Sequence, residues 1–367
     1  MATRKNIRIL LDDGNQIERG TGIGRYSQYV FDFLQRSGFQ IDLTDRRFAG
    51  GDRTRKRLEY LWHINSRTYQ RELEARYDLV FYTNYTVPFV KNGHTKYIAT
   101  IHDMVSYLYP ETLPAAYRVY NRETIRNTVH RAELIFTDSE SVKREITSVF
   151  PDAENKIKST WVGTYESIRP METYRDYDNP LLHGIDNSPF FLFVSTVEKR
   201  KNVKLVIEAF DCLKRIALSA AGWKLVIVGR PGYGYEEIFK AAKESSSSQD
   251  ILFAGFTSDE DCNRLYNHAK AFVFPTTYEG FGSAQTECMR CHLPLICSDI
   301  KTNREISREY GLYFHLDDPS SLVDQMRNIT DDKYDYARYN RLADQYLTDF
   351  SWEKVGGRMI EGIESIC

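Results

Sequence analysis

Residues 274–299, FPTTYEGFGSAQTECMRCHLPLICSD, limit the folds open to this chain more than any other stretch. The apolar run Ala271-Phe272-Val273-Phe274 reads as a buried strand, and 275–281 as a loop carrying Glu279 and Gly280. A helix is expected from about Ser283 to Arg290, with Glu287 in its first turns, and 293–297 is the next apolar strand. Strand, glycine-bearing loop, helix and strand make one βαβ unit. The loop of such a unit lies at the carboxyl end of a strand, where open α/β sheets bind ligands.

The residue types fix the chemistry open to that loop. Gly280 and Gly282 allow close approach of the backbone and positive φ. Amides at the start of the following helix, together with its dipole, favour an anionic group such as a diphosphate. Glu279 and Glu287 are acceptors suited to hydroxyls. A tight turn flanked by two solvated glutamates is the plain alternative.

Glu279-Gly280-Phe281-Gly282 followed by Glu287 resembles the Glu-x7-Glu signature of the retaining glycosyltransferases of family four, which have the GT-B architecture. Met289 and Pro294 also match, whereas Thr276, Ser283-Ala284, Cys288 and Arg290-Cys291-His292 depart from the usual residues. A second segment, Glu198-x-Arg200-Lys201-Asn202, matches the family's G-x-x-E-x-R-K-N, with Ser195 where some relatives carry an arginine. Arginine and lysine at the start of a helix suit a diphosphate on their own chemistry. The resemblance covers nearly the whole chain, and its motifs occur in the family's order.

The resemblance implies two Rossmann-like, doubly wound parallel-sheet domains facing across a cleft. Alternating apolar runs and amphipathic helices independently call for such α/β sheets. Residues 1–168 are expected to form the acceptor-side domain, joined by a terminal helix at 351–367 that crosses back to it. The polar, proline-punctuated 169–189 is expected to be a linker, and 190–350 the nucleotide-sugar domain. A length of 367 residues suits two cores.

The first strand, at 7–11, is followed by Gly20-Thr21-Gly22-Ile23-Gly24-Arg25-Tyr26 and an amphipathic helix. This cluster can cradle phosphate, act as a dinucleotide fingerprint with Asp42 or Asp45, or simply connect. The dinucleotide spacing does not fit, and the segment resembles the family's G-x-G-R-Y loop. His102-Asp103 ends a buried strand at 96–101 and matches a family segment on the acceptor side. The resemblance therefore implies catalytic roles for His102, Lys201, Arg200 and Glu279. Donor contacts are implied for Gly22, Gly24, Thr196, Arg200, Lys201, Phe256, Glu279, Gly280, Phe281, Gly282, Ser283 and Glu287, with Glu279 on the sugar hydroxyls and Glu287 on the ribose. His102 and Asp103 fall on the acceptor side, Asp103 in an orienting or structural role.

The implied reaction moves a sugar, mannose or rhamnose favoured, from a nucleotide-diphosphate sugar to a hydroxyl of a glycan or lipid-linked acceptor, with retention, in cell-surface polysaccharide synthesis. The alternative is a non-catalytic GT-B subunit that binds sugar nucleotide or a partner enzyme; Ser195 and Gln285 are the departures that keep it open. No cofactor or metal is expected, since cations and helix dipoles serve the diphosphate in the family that the chain resembles. Cys288-x-x-Cys291-His292 reads as core packing on a helix rather than a metal site.

A net charge of −2 gives no field that draws nucleic acid. Six scattered cysteines and the absence of a leader-like segment suggest a reducing cytoplasm, at the inner face of the membrane where the acceptor is lipid-linked. The basic cluster within 46–57, beside Leu61-Trp62 and Tyr69, offers peripheral membrane contact. A solvated helix face is the plainer reading of that cluster.

Overall fold

The computed structural model describes residues 4–14, 22–44, 53–91, 93–171, 177–185 and 187–367. The chain divides into two compact units. The first comprises the described parts of Met1–Pro110 with Ala115–Gly163 and Ser351–Cys367; the second comprises Glu111–Pro114 and the described parts of Thr164–Phe350.

The first unit holds β1 (Arg8–Asp12), β2 (Gln40–Leu43), β3 (Leu79–Tyr82), β4 (Lys96–Ile101), β5 (Leu134–Thr137) and β6 (Ile157–Ser159). They pair in the order β2-β1-β3-β4-β5-β6, every pair parallel. The second holds β7 (Phe190–Val194), β8 (Lys224–Val228), β9 (Ile251–Gly255), β10 (Ala271–Phe274), β11 (Leu295–Ser298) and β12 (Gly311–Phe314), paired in the order β12-β11-β10-β7-β8-β9 and again parallel.

Strands such as FFLFV, KLVIV and AFVF are apolar throughout because helices cover both faces of a parallel sheet. Side chains alternate between those faces. Phe191, Phe193, Leu225, Ile227 and Val273 pack with helices Val203–Ile216 and Pro319–Thr330. Phe190, Leu192, Val226, Phe272 and Phe274 pack on the other side, with Met289, Ala343 and Tyr346. Serine caps set several helix starts: Ser139 accepts from the Val142 amide at 3.1 Å and Ser258 from the Asp261 amide at 3.1 Å.

One expectation needs correction. The described part of the linker expected at 169–189 belongs to the second unit and is anchored in its core. Tyr177, Leu182 and Ile185 are buried there beside Ile168, and the Asp178 and Asn179 amides donate to the buried Asp261 carboxylate. The serines that follow helix Tyr235–Glu244 are held by a carboxylate. Ser245, Ser246 and the Ser247 amide all donate to one oxygen of Asp211. Those hydrogen bonds outweigh burial and bring the Asp211 carboxyl down to about 2.

The terminal helix Trp352–Ile366 packs within the first unit: Trp352 stacks on Tyr29 at 4.8 Å, and Gly356 faces the Phe33 ring. A Cβ at Gly356 would collide with that ring, whereas one at Gly357 would meet nothing within 4 Å. Gly356→Ala should therefore cost about 1–3 kcal/mol by overpacking. Gly357→Ala should be neutral or stabilise by up to about 1 kcal/mol through helix propensity. Urea denaturation of the two variants reads out these opposite signs.

Candidate active site

In the second sheet the strand order reverses between β7 and β10, which lie side by side although their helices lead to opposite faces. This is the switch point at which open α/β sheets leave a crevice beyond the strand ends. Lys201 follows β7 and Glu279 follows β10, and the Lys201 ammonium donates directly to the Glu279 carboxylate. Both are buried, at 9% and 6% exposure. Arg200 reaches the same carboxylate at 3.5 Å while donating to the Tyr278 carbonyl at 2.8 Å and to Glu198 at 2.9 Å.

Burial by itself would raise the Glu279 carboxyl. The charges of Lys201 and Arg200 and the hydrogen bonds from Lys201 and Thr276 outweigh it and hold the group below its ordinary value, so it stays ionised. Burial lowers the Lys201 ammonium; the Glu279 charge opposes this and the Arg200 charge adds to it. Two cations face two carboxylates, Glu198 and Glu279, so the cluster's formal charge is zero.

The loop bearing Glu279 is fixed on all sides. The Thr302 hydroxyl donates to the Glu279 carbonyl at 2.8 Å, Thr276 to the Tyr278 carbonyl at 2.9 Å, and Ser298 to the Thr276 carbonyl at 2.5 Å. The Thr277 amide donates to the Arg200 carbonyl at 3.0 Å, tying this loop to the one after β7. Gly282 sits at φ +77°, and a Cβ there would press on the Phe274 ring and the Gln285 amide at 2.8–3.0 Å, so only glycine fits. The helix Ala284–Arg290 starts directly afterwards, with Ser283 as the residue before it. Gln285 donates to the Phe281 carbonyl at 2.8 Å and accepts from Ser307 at 2.5 Å. This departure from the family pattern thus braces the loop.

The other residues expected at the donor site are placed as follows. Glu287 is half-buried and accepts from the Tyr266 hydroxyl at 2.7 Å. Gly280 is buried, Thr196 is exposed at the end of β7, and Phe256 is exposed after β9. The Phe281 ring is buried and packs edge-on against Phe350 at 5.7 Å. Cys288 is fully buried in the core, and among the described residues no group of three or more His, Cys, Asp or Glu has a metal-holding arrangement.

In the first unit, Gly22 and Gly24 lie in the first turn of helix Gly22–Arg36 rather than in a loop before it, while Gly20 and Thr21 fall outside the described residues. The order reverses between β1 and β3. Asp12 is the last residue of β1, and Thr83, His102 and Asp138 directly follow the adjacent strands β3, β4 and β5. Asp12 is buried and accepts from Tyr69 at 3.2 Å and from the Gly14 amide at 3.0 Å. Burial dominates and raises its carboxyl to about 6, although these donors pull it down.

His102 lies between the Asp138 carboxylate, 2.7 Å from Nδ1, and the Thr83 carbonyl, 2.9 Å from Nε2. Both ring nitrogens are therefore engaged inside the unit, whereas the sequence left His102 open to an acceptor. Asp103 accepts from the Val105 amide at 3.1 Å and so orders the turn into the helix Val105–Leu108. Asp138 and Asp12 escaped the sequence reading. Their position directly after an apolar strand was the signal available.

Burial would lower the His102 pKa, but the Asp138 charge and hydrogen bond, with the Thr83 carbonyl, carry it above its ordinary value. The Thr83 carbonyl only accepts, so we assign a proton to Nε2; at Nδ1 the ring faces a carboxyl that burial raises as well, with the His102 charge opposing. A folded pKa above the unfolded one gives stability fully present below about pH 6.5, lost as pH rises through the folded value. NMR titration should place His102 above 6.5 in the wild type and below it in Asp138→Asn, where burial persists without the carboxylate. A wild-type value below 6.5 would contradict the assignment.

Residues 182–345 match the family of group 1 glycosyl transferases. The chain is 25% identical over 258 residues to O-antigen chain mannosyltransferase B of Escherichia coli, covering 70% of this chain and 67% of that protein. It is 23% identical over 334 residues to O-antigen chain mannosyltransferase RfbU of Salmonella typhimurium, covering 90% and 88%. Sucrose-phosphate synthase from Thermosynechococcus elongatus superposes with a TM-score of 0.73 at 17% identity, covering 98% of this chain and 99% of that one. Residues 182–345 are a group 1 glycosyl transferase domain, and the chain is a glycosyltransferase of GT-B fold.

Proposed function

We propose that the chain transfers a mannosyl group from GDP-mannose to a hydroxyl of a glycan or lipid-linked acceptor, with retention of configuration and without a metal, in cell-surface polysaccharide synthesis. The observation that carries this reading is the buried Lys201–Glu279–Arg200 cluster at the switch point of the second sheet. The likeness to O-antigen mannosyltransferases supports the choice of sugar and process.

In the reaction the bond from the sugar's anomeric carbon to the diphosphate breaks and a bond to the acceptor oxygen forms on the same face. The acceptor proton passes to the departing diphosphate oxygen. Charge grows on the diphosphate as the bond lengthens, so groups that hold that charge lower the barrier. Lys201 and Arg200 are assigned that task, with the amides of Gly282 and Ser283, which as helix-start groups have no partner within the helix. Glu279 takes the sugar hydroxyls and Glu287 the ribose. His102, bonded to Asp138, and Asp103 are assigned to the acceptor. Gln285 no longer argues for a non-catalytic subunit, because its hydrogen bonds give it a structural task.

A lipid-linked acceptor calls for contact with a membrane face. Among the described residues no helix is long and apolar enough to cross a membrane. Helix Arg53–Ile64 exposes Trp62 at 78% and Leu58 at 61%, one turn apart, beside Arg55 and Lys56. We assign this face to an anionic lipid surface on the cytoplasmic side; Arg46 and Arg47 of the same basic cluster lie outside the described residues.

Transfer from GDP-mannose should proceed in EDTA. It should fall about 10²–10³-fold in Lys201→Ala and in Glu279→Gln, with folding verified by circular dichroism. Full activity in both variants would reject the site. Trp62→Ala with Leu58→Ala should weaken sedimentation with vesicles containing anionic lipid while leaving transfer to a soluble acceptor intact. Unchanged sedimentation would remove the membrane assignment.

A further inference from the structure

The ion cluster after β7 and β10 is already balanced. Arg200 and Lys201 are engaged by Glu198 and Glu279, two charges against two. A donor diphosphate brings at least two negative charges into this crevice, so a cation not held by either glutamate is required. Ser195, at the end of β7, is neutral.

The segment after β8 supplies a candidate. It runs alongside the one after β7: the Val197 amide donates to the Arg230 carbonyl, Gly232 to Val197, and Lys199 to Tyr233, each at 2.9 Å. Gly229, at φ +146°, lies so close to the Ser195 carbonyl that a Cβ has no room, and its amide donates to the Gly255 carbonyl at 2.8 Å. The ends of β7, β8 and β9 are thereby drawn together at one carboxyl edge. Arg230 is exposed there, and its guanidinium lies 4.2 Å from the ring centroid of Phe256, itself 66% exposed. Among the described residues Arg230 makes no ion pair. A guanidinium resting on that ring is held near its working position, unlike the neighbouring exposed Lys199, for which no such support is seen.

We propose that Arg230 is the cation that neutralises the donor diphosphate beyond Lys201 and Arg200, with the Phe256 ring holding its guanidinium in place. This rests on the sugar-nucleotide reading of the second unit and adds to it the residues through which this chain, with Ser195 at the end of β7, completes its anion site.

Calorimetric titration of the full-length protein with guanosine, GMP and GDP tests it. Arg230→Ala should weaken GDP by about 10- to 100-fold, GMP by less and guanosine not at all, as expected for charge-assisted contacts to phosphate. Arg230→Lys should recover most of the loss, and Lys199→Ala should have little effect. Phe256→Ala, which removes the ring that supports Arg230, should weaken GDP by more than it weakens guanosine. Equal weakening of all three ligands in Arg230→Ala, or unchanged GDP affinity, overturns the proposal while leaving the donor reading in place. If the wild type prefers UDP, the series uridine, UMP and UDP carries the same comparison. A wild type that binds neither diphosphate rejects the donor reading and this proposal together.

Discussion

The pairing of Lys201 with Glu279 is the interaction on which the second unit is arranged. Removing two such ions from water costs several kcal/mol each, and their mutual attraction alone rarely exceeds that cost. Here Arg200, the Thr276 hydroxyl and the Glu198 carboxylate share the load. Apolar residues of similar volume would serve stability as well or better, so a buried pair of this kind is better understood through what it binds. The surroundings agree with that view. Thr302, Ser298 and Thr276 secure the backbone of the glutamate's loop, so the carboxylate is positioned before any ligand arrives.

Sheet topology decides that these two side chains meet. Lys201 and Glu279 lie 78 residues apart, yet β7 and β10 are neighbours because the chain winds outward from β7 in one direction and then restarts beside it in the other. The first unit uses the same logic at β1 and β3, where Asp12 sits with Tyr69 and the next strands add His102 and Asp138. In both units the sheet is apolar on both faces, so polar chemistry gathers at the carboxyl edge. There, loop backbone and helix starts leave groups to be satisfied.

This division explains what the sequence revealed. Strands buried on both faces read as unbroken apolar runs, so the α/β alternation was plain from LVFY, LIFT, FFLFV and KLVIV. The Glu279 and Lys201 segments stood out through their glycine and basic context. Their direct bond did not, since it depends on strand order. The side toward which the Phe281 ring turns depends on Phe350, 69 residues later. The segment taken as a linker hid Tyr177, Leu182 and Ile185, whose spacing follows neither helix nor strand periodicity and whose burial is tertiary. Asp138 looked like an ordinary residue before a serine cap; only the approach of β4 to β5 gives it His102 as a partner.

The account claims that the balanced ion cluster after β7 and β10 is the seat of the donor's diphosphate and sugar. A crystal structure of the full chain with a nucleotide-sugar bound tests this most directly. The account predicts phosphate oxygens within hydrogen-bond distance of Lys201 Nζ and the Arg200 guanidinium, with a sugar hydroxyl on the Glu279 carboxylate. A nucleotide-sugar bound elsewhere, with the Lys201–Glu279 pair intact and untouched, would contradict it.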